Sequence, residues 1–134
     1  MQLANLSTEL EIKVGTTTQL ATVTWDGKTK LFYQAADNTI QELTRLLDGT
    51  WFTLHEALPG SQPHQGTHLT AVGWADVHVR VYYQVPDNSI WEAVFDGEEW
   101  DARQLIQSGN KAIRGRLDTP ISAIVHLSDN GVRC

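Results

Sequence analysis

The sequence predicts an all-β chain of β-propeller blades, each a four-stranded antiparallel meander, repeating about every 50 residues. Three observations carry that prediction. TQLATVTW (18–25) matches THLTAVGW (67–74), and KLFYQAADNTIQE (30–42) matches RVYYQVPDNSIWE (80–92). The matched segments are short, rich in β-branched and aromatic residues, and closed by turn dipeptides. No long stretch keeps the three- and four-residue apolar spacing of an amphipathic helix.

Each repeat reads as four strands in order. The innermost is the TxLxxVxW segment, closed by Asp26-Gly27 in the first copy and by Asp129-Asn130-Gly131 in a third. The second, LFYQ or VYYQ, stops at Asp-Asn, a dipeptide that tolerates positive φ. The third, TIQEL or SIWEAVF, closes at Asp48-Gly49 or Asp96-Gly97, a strong hairpin signal. The outer strand starts at Trp51 or Trp100 and runs through FTLHEAL or DARQLI. One blade therefore spans about residues 18–66 and the next about 67–118. A third copy begins at TPISAIVHLSDNGVRC (119–134), where Ile121, Ala123 and Arg133 echo Leu69, Ala71 and Arg80, and stops within its second strand. ELEIKV (9–14) is strand-like, so residues 1–17 of the same or a neighbouring chain are expected to help complete that partial blade. Two blades and a fraction leave sheet edges and apolar blade faces open to water. Closure comes from further chain or from assembly. The expectation is assembly, a dimer or trimer making a six- or seven-bladed ring.

Composition narrows the function classes. The 134 residues carry a formal net charge of −6, the wrong sign for nucleic acid or anionic membranes, which need a basic face. Five Trp, three Tyr and three Phe are too many for a disordered chain of this length. Apolar runs are too short to span a bilayer. MQLANLSTELEIKV has neither a basic n-region nor an apolar h-region, so no signal peptide is visible. The expected location is cytoplasmic or non-classically secreted. The single cysteine, Cys134, excludes an internal disulfide and reads as a free terminal thiol.

The candidate chemistry lies on the middle strands. Arg80 and Glu92 fall near each other on one face of consecutive antiparallel strands, and Lys30 and Glu42 repeat that spacing. A cation beside a carboxylate on a rigid sheet donates to one sugar hydroxyl and accepts from its neighbour. The same pair is also a common structural salt bridge, and from the pair alone that reading has the stronger claim. Trp51 and Trp100, at the start of the outer strands, are placed to face a neighbouring blade's polar pair and stack on the apolar face of a sugar. The alternative is that they wedge blades together. Trp25 and Trp74 read as core, and Trp91, beside Glu92 and so on the opposite face, reads as inter-blade packing.

At these residues the sequence resembles a known family. VRVYYQVPDNSIWEAVFDGEEW followed by TPISAIV is similar to a blade of the fungal fucose-specific lectins of the Aleuria type, and the resemblance covers most of residues 18–134. It implies a six-bladed propeller, or a ring of smaller subunits as in two-blade bacterial relatives. Fucose then lies between blades, held by an Arg and a Glu of one blade and covered by aromatic residues of the next. Carried over, Arg80 and Glu92 match the polar pair and Glu42 the Glu of blade 1. Lys30 replaces the Arg there and loses its planar fork. Phe95 and Trp100 match the aromatic wall of the Lys30–Glu42 site, Trp51 a wall residue for a site with the preceding blade, and Arg133 the start of a third site. Leu47 stands where an aromatic is expected.

The implied function is a non-catalytic, multivalent lectin binding L-fucose or fucosylated glycans, with no cofactor and no metal. A peptide-binding propeller is the alternative, and a glycosidase a weaker one. A glycosidase needs two carboxylates facing across a bond, whereas Asp26, Asp37, Asp48, Asp87 and Asp96 sit in turns, where local hydrogen bonding accounts for them. LDGTW holds only the tail of a sialidase Asp-box. His64-x-x-x-His68 lies beside Pro63 and Gly66, which forbid the helix that would align the two as ligands.

Overall fold

The computed structural model describes residues 20–25, 28–52, 57–74, 78–107, 109–116, 120–126 and 131–133. The strand-like segment 9–14, the Asp26-Gly27 turn, the side chain of Trp25 and Cys134 lie outside what is described.

Strands β1 (Leu20–Trp25), β2 (Lys28–Gln34), β3 (Ile40–Arg45) and β4 (Trp51–Phe52) form one antiparallel sheet in sequential order. Strands β5 (Thr70–Trp74), β6 (His78–Gln84), β7 (Ile90–Phe95) and β8 (Trp100–Gln104) form a second with the same order. These are the two expected meanders. The register repeats as well: Val23, Lys30 and Thr44 lie abreast in blade 1, as Val72, Arg80 and Val94 do in blade 2. Residues 53–56, the middle of the expected outer strand of blade 1, lie outside what is described. Described pairing ends at Phe52, and the chain next bridges the sheet at Ala57, opposite Gln41.

Side chains alternate across each sheet, and each face has its own partner. One face of blade 1 brings Ala21, Val23, Phe32 and Ile40 into a shared core with Val79, Val81, Tyr83 and Ala93 of blade 2. Phe32, Val81 and Ala93 are fully buried there, each large apolar side chain contributing roughly 1.5–3 kcal/mol. Trp91 packs against this cluster, as expected of an inter-blade residue. The opposite face of blade 1 carries a smaller cluster of Leu31, Tyr33, Ala35 and Leu43, with Trp51 against it.

Turn chemistry fixes the hairpins. Asn38 and Asn88 adopt φ of 71° and 69°, the left-handed conformation that Asn tolerates. Asp37 Oδ1 accepts from the Thr39 amide and hydroxyl, and Asp87 Oδ1 from those of Ser89. Asp48 and Asp96 cap the outer hairpins through the amides of Thr50 and of Glu98 and Glu99. These bonds hold all four carboxyls below the usual carboxylate range.

Two buried glutamines at one repeat position tie each blade to the chain that follows it. Gln34 Nε2 donates to the carbonyls of Asn38 and His64, and Gln84 Nε2 to those of Asn88 and Arg116. Thr67 Oγ1 accepts the Gln84 amide, which explains why a Thr opens the repeat. Gly60 is forced by close approach: a Cβ there would stand 2.7 Å from the Tyr83 hydroxyl and from Ala102 Cβ, at φ +105°.

Two features lie outside the two-blade pattern. A small hairpin of β9 (Ile106–Gln107) and β10 (Lys111–Ala112) interrupts the link after blade 2, turning through Gly109 and Asn110, both at positive φ. Among the described residues it has no counterpart in the first repeat. Beyond it, β11 (Ile124–His126) pairs with β12 (Gly131–Arg133), placing Ile124 opposite Arg133 as Val72 lies opposite Arg80. The third copy thus keeps the repeat's register, and β11 lies beside β5 as β5 lies beside β1.

Candidate functional site

The face of blade 1 that meets blade 2 is apolar near the inner strands and polar toward the outer edge. Phe32 lies opposite Glu42, and Lys30 opposite Thr44. The cation and carboxylate are therefore diagonal neighbours, within reach for long side chains. Lys30 Nζ stands 3.2 Å from Glu42 Oε2 and donates to Thr44 Oγ1 at 3.2 Å. Both charged groups are largely shielded from solvent, with side chains 12% and 10% exposed.

Blade 2 supplies the opposite wall. Phe95 and Trp100 end β7 and begin β8, and they lie directly opposite each other. Their rings are tilted, centroids 5.3 Å apart. Trp100 also sets an edge-to-face contact on Phe32 of blade 1 at 5.8 Å, and Lys30 Nζ lies 5.6 Å from the centre of the Phe95 ring. A cleft of about 490 Å³ opens between the blades, with Lys30, Glu42 and Thr44 on one side and Phe95 and Trp100 on the other. A donor, an acceptor and an aromatic surface converge there, the combination a hydroxylated ring with one apolar face requires.

The corresponding face of blade 2 carries a different polar cluster. Arg80 Nη1 lies 3.3 Å from Glu92 Oε1, so the pairing foreseen from the spacing forms. The Glu92 side chain is only 5% exposed, and three groups hold it. Tyr82 donates to Oε2 at 2.6 Å, and Arg103, from the outer strand, donates through Nε to Oε1 at 2.7 Å. Arg80 also lies over the Trp74 ring at 5.3 Å. This corrects the assignment of Trp74 to the core: it is partly exposed, stacked on His78 at 5.1 Å and covered by Arg80. It shares a sheet face with Arg80, so its ring serves the cation rather than the interior.

Sequence reasoning missed Tyr82 and Arg103. The signal for Tyr82 was available, because it lies opposite Glu92 on the second strand, where blade 1 has Phe32. Arg103 follows Trp100 by three residues, as Leu54 follows Trp51, so the repeat itself gave no warning of a cation.

The remaining residues separate. Trp51 packs on the other face of blade 1, against Leu31, Tyr33, Ala35 and Leu43 and away from Lys30 and Glu42. Leu47 is not the counterpart of Phe95. Arg45 lies opposite Trp51 as Phe95 lies opposite Trp100, and Leu47 sits at the turn tip, 70% exposed. The blade 1 turn is one residue longer, which shifts the alignment there. The Arg133 backbone pairs in the register of Arg80, and its side chain lies outside the described residues.

Comparisons with known proteins agree with this architecture. Residues 18–122 match the family model described as fungal fucose-specific lectin. The fucose-specific lectin of Aleuria aurantia is 28% identical over 96 residues, which cover 66% of this chain and 30% of that protein. A variant of the Aleuria aurantia lectin solved with Fucα1-6GlcNAc superposes with a TM-score of 0.63 at 25% identity, over 75% of this chain and 36% of that one. Another structure of that lectin, titled as a six-bladed β-propeller, gives a TM-score of 0.60 at 24% identity over the same shares, which bears on fold alone. The chain spans about a third of these relatives.

Proposed function

The chain belongs to the fungal fucose-specific lectin family, and from that premise we propose that it is a carbohydrate-binding lectin that takes L-fucose or fucosylated glycans between its blades, without catalysis. The observation that carries the reading is the cleft in which Lys30 and Glu42 of blade 1 face Phe95 and Trp100 of blade 2. Lys30 donates to a ring hydroxyl and Glu42 accepts from its neighbour, while the indole covers the sugar's apolar edge. The turn aspartates support binding over hydrolysis, since Asp37, Asp48, Asp87 and Asp96 are committed to local amides.

Arg80 and Glu92 form the polar half of a second site whose aromatic wall belongs to a following blade, Arg133 starts a third, and Trp51 is a wall residue for a site with the preceding blade. On this reading the blades span about 18–66 and 67–118, with 119–134 and 1–17 contributing to another, and two or three copies close a ring. Fixed repetition of weak sites adds roughly 10²–10⁴ in avidity on a fucosylated surface. The test is binding to an array of fucosylated and non-fucosylated glycans, competed with free fucose. Fucose-dependent, competable signal is expected. Signal that ignores fucose would favour the peptide-binding alternative.

A further inference from the structure

The Arg80–Glu92 face holds a second cation, at a position where the sequence of the first repeat has Leu54. Arg103 reaches from the outer strand to Glu92 Oε1 at 2.7 Å, a short charge-assisted bond. We propose that Arg103 sets the ligand requirement of this site, making it select a neutral saccharide of two or more rings over a free monosaccharide. The proposal rests on the sugar-binding reading above and concerns which sugar this site accepts.

The argument is one of lone pairs. An ionised carboxylate offers about four acceptor positions. At Glu92, Tyr82 takes one on Oε2, and Arg103 and Arg80 both address Oε1. A sugar hydroxyl donating to Glu92 must therefore displace Arg103 or use what remains on Oε2. A single ring gripped by Arg80 and Glu92 offers little in return for displacing that bond.

A second ring changes the balance. Arg103 spends its Nε on Glu92, and among the described residues its two terminal nitrogens have no hydrogen-bond partner. The side chain is 65% exposed and lines a cleft of about 280 Å³ with Arg80, Val94 and Asp101. That outward guanidinium edge is a pure donor, placed to meet an acceptor oxygen on a ring attached to the one Arg80 holds. Asp96, Glu99 and Asp101 line the same cleft. Together with Glu92 they outnumber the two guanidinia, so sulfated or carboxylated sugars are disfavoured and a neutral glycan is selected.

The test removes the blade 1 cleft with Glu42→Gln, uses Arg80→Ala in that background to identify the signal from this site, and measures methyl α-L-fucoside and a neutral fucosyl-N-acetylglucosamine disaccharide by calorimetry. In the Glu42→Gln protein the disaccharide is expected to bind about ten-fold tighter, the worth of one charge-assisted hydrogen bond. Adding Arg103→Ala should bring the ratio near one, by loosening the disaccharide and slightly tightening the monosaccharide. Arg103→Lys keeps the charge without the fork and should give an intermediate ratio; it also serves if the alanine variant fails to fold. A merely structural Arg103 would weaken both ligands equally, and an unchanged ratio or equal weakening overturns the proposal. If the Glu42→Gln protein binds neither sugar while the wild type binds both, the proposal fails and the lectin reading stands. If the wild type binds neither, both fall.

Discussion

The two polar faces share a scaffold and differ in how their carboxylates are held. Glu42 and Glu92 occupy the same register position, opposite Phe32 and Tyr82. In blade 1 the cation is an ammonium shared between Glu42 and Thr44 and lying near the Phe95 ring of the next blade. In blade 2 Arg80 faces Val94 at the Thr44 position, and a phenol and a second guanidinium secure Glu92 instead. Among the described residues, the blade 1 cleft is completed by aromatic residues of the blade beyond it, and the blade 2 carboxylate is held by three groups of its own sheet. Repetition therefore copies where a carboxylate sits, while the cation beside it and the residue opposite it change from Lys30 and Phe32 to Arg80 and Tyr82.

The sharpest break of that comparison is Trp100→Ala. It removes the wall of the blade 1 cleft together with the edge contact on Phe32, and should cost roughly 2–4 kcal/mol, somewhat below a full core truncation because Trp100 is only partly buried. Melting and fucoside titration of the same sample check it; stability equal to wild type would show that the indole does not join the blades.

Glu42→Gln should lower fucoside affinity at the blade 1 cleft by roughly ten- to a hundred-fold, the worth of a hydrogen bond to a charged acceptor. Glu92→Gln should in addition destabilise the fold, because Tyr82, Arg80 and Arg103 all address that carboxylate. Equal melting temperatures for the two variants would contradict the described difference in how the carboxylates are held.

Tyr82→Phe reproduces blade 1's Phe at this position and should cost about 1 kcal/mol, read from denaturant midpoints. Lys30→Arg, the reciprocal exchange, should change stability little and raise fucoside affinity a few-fold by restoring the planar fork. A loss of affinity would mean that the Thr44 and Phe95 contacts suit only an ammonium.

The smallest effect is at alkaline pH. Burial pushes the Tyr83 phenol up to about 12, and burial with the nearby Asp37 also raises Tyr33. A phenol raised in the folded state adds stability below its unfolded value near 10, and that stability is lost as pH climbs toward 12. Tyr83→Phe should flatten the pH dependence in that window, and ultraviolet titration should show a late-ionising tyrosine disappear.

The sequence by itself determined what is local and periodic. Matching segments announced the four-stranded meander, Asp-Asn and Asp-Gly placed the hairpins, and the spacing of Arg80 from Glu92 and Lys30 from Glu42 put each pair on one sheet face. Period-two alternation and turn conformations depend on neighbours in the chain, so the chain displays them. Tertiary structure decided what depends on which strand lies abreast and which blade comes next. It exchanged Leu47 for Arg45 opposite Trp51, because turn length sets the register. It took Trp74 out of the core and laid it under Arg80. It also brought Arg103 and Tyr82 onto Glu92, through cross-strand neighbours that contact only once the sheet has paired.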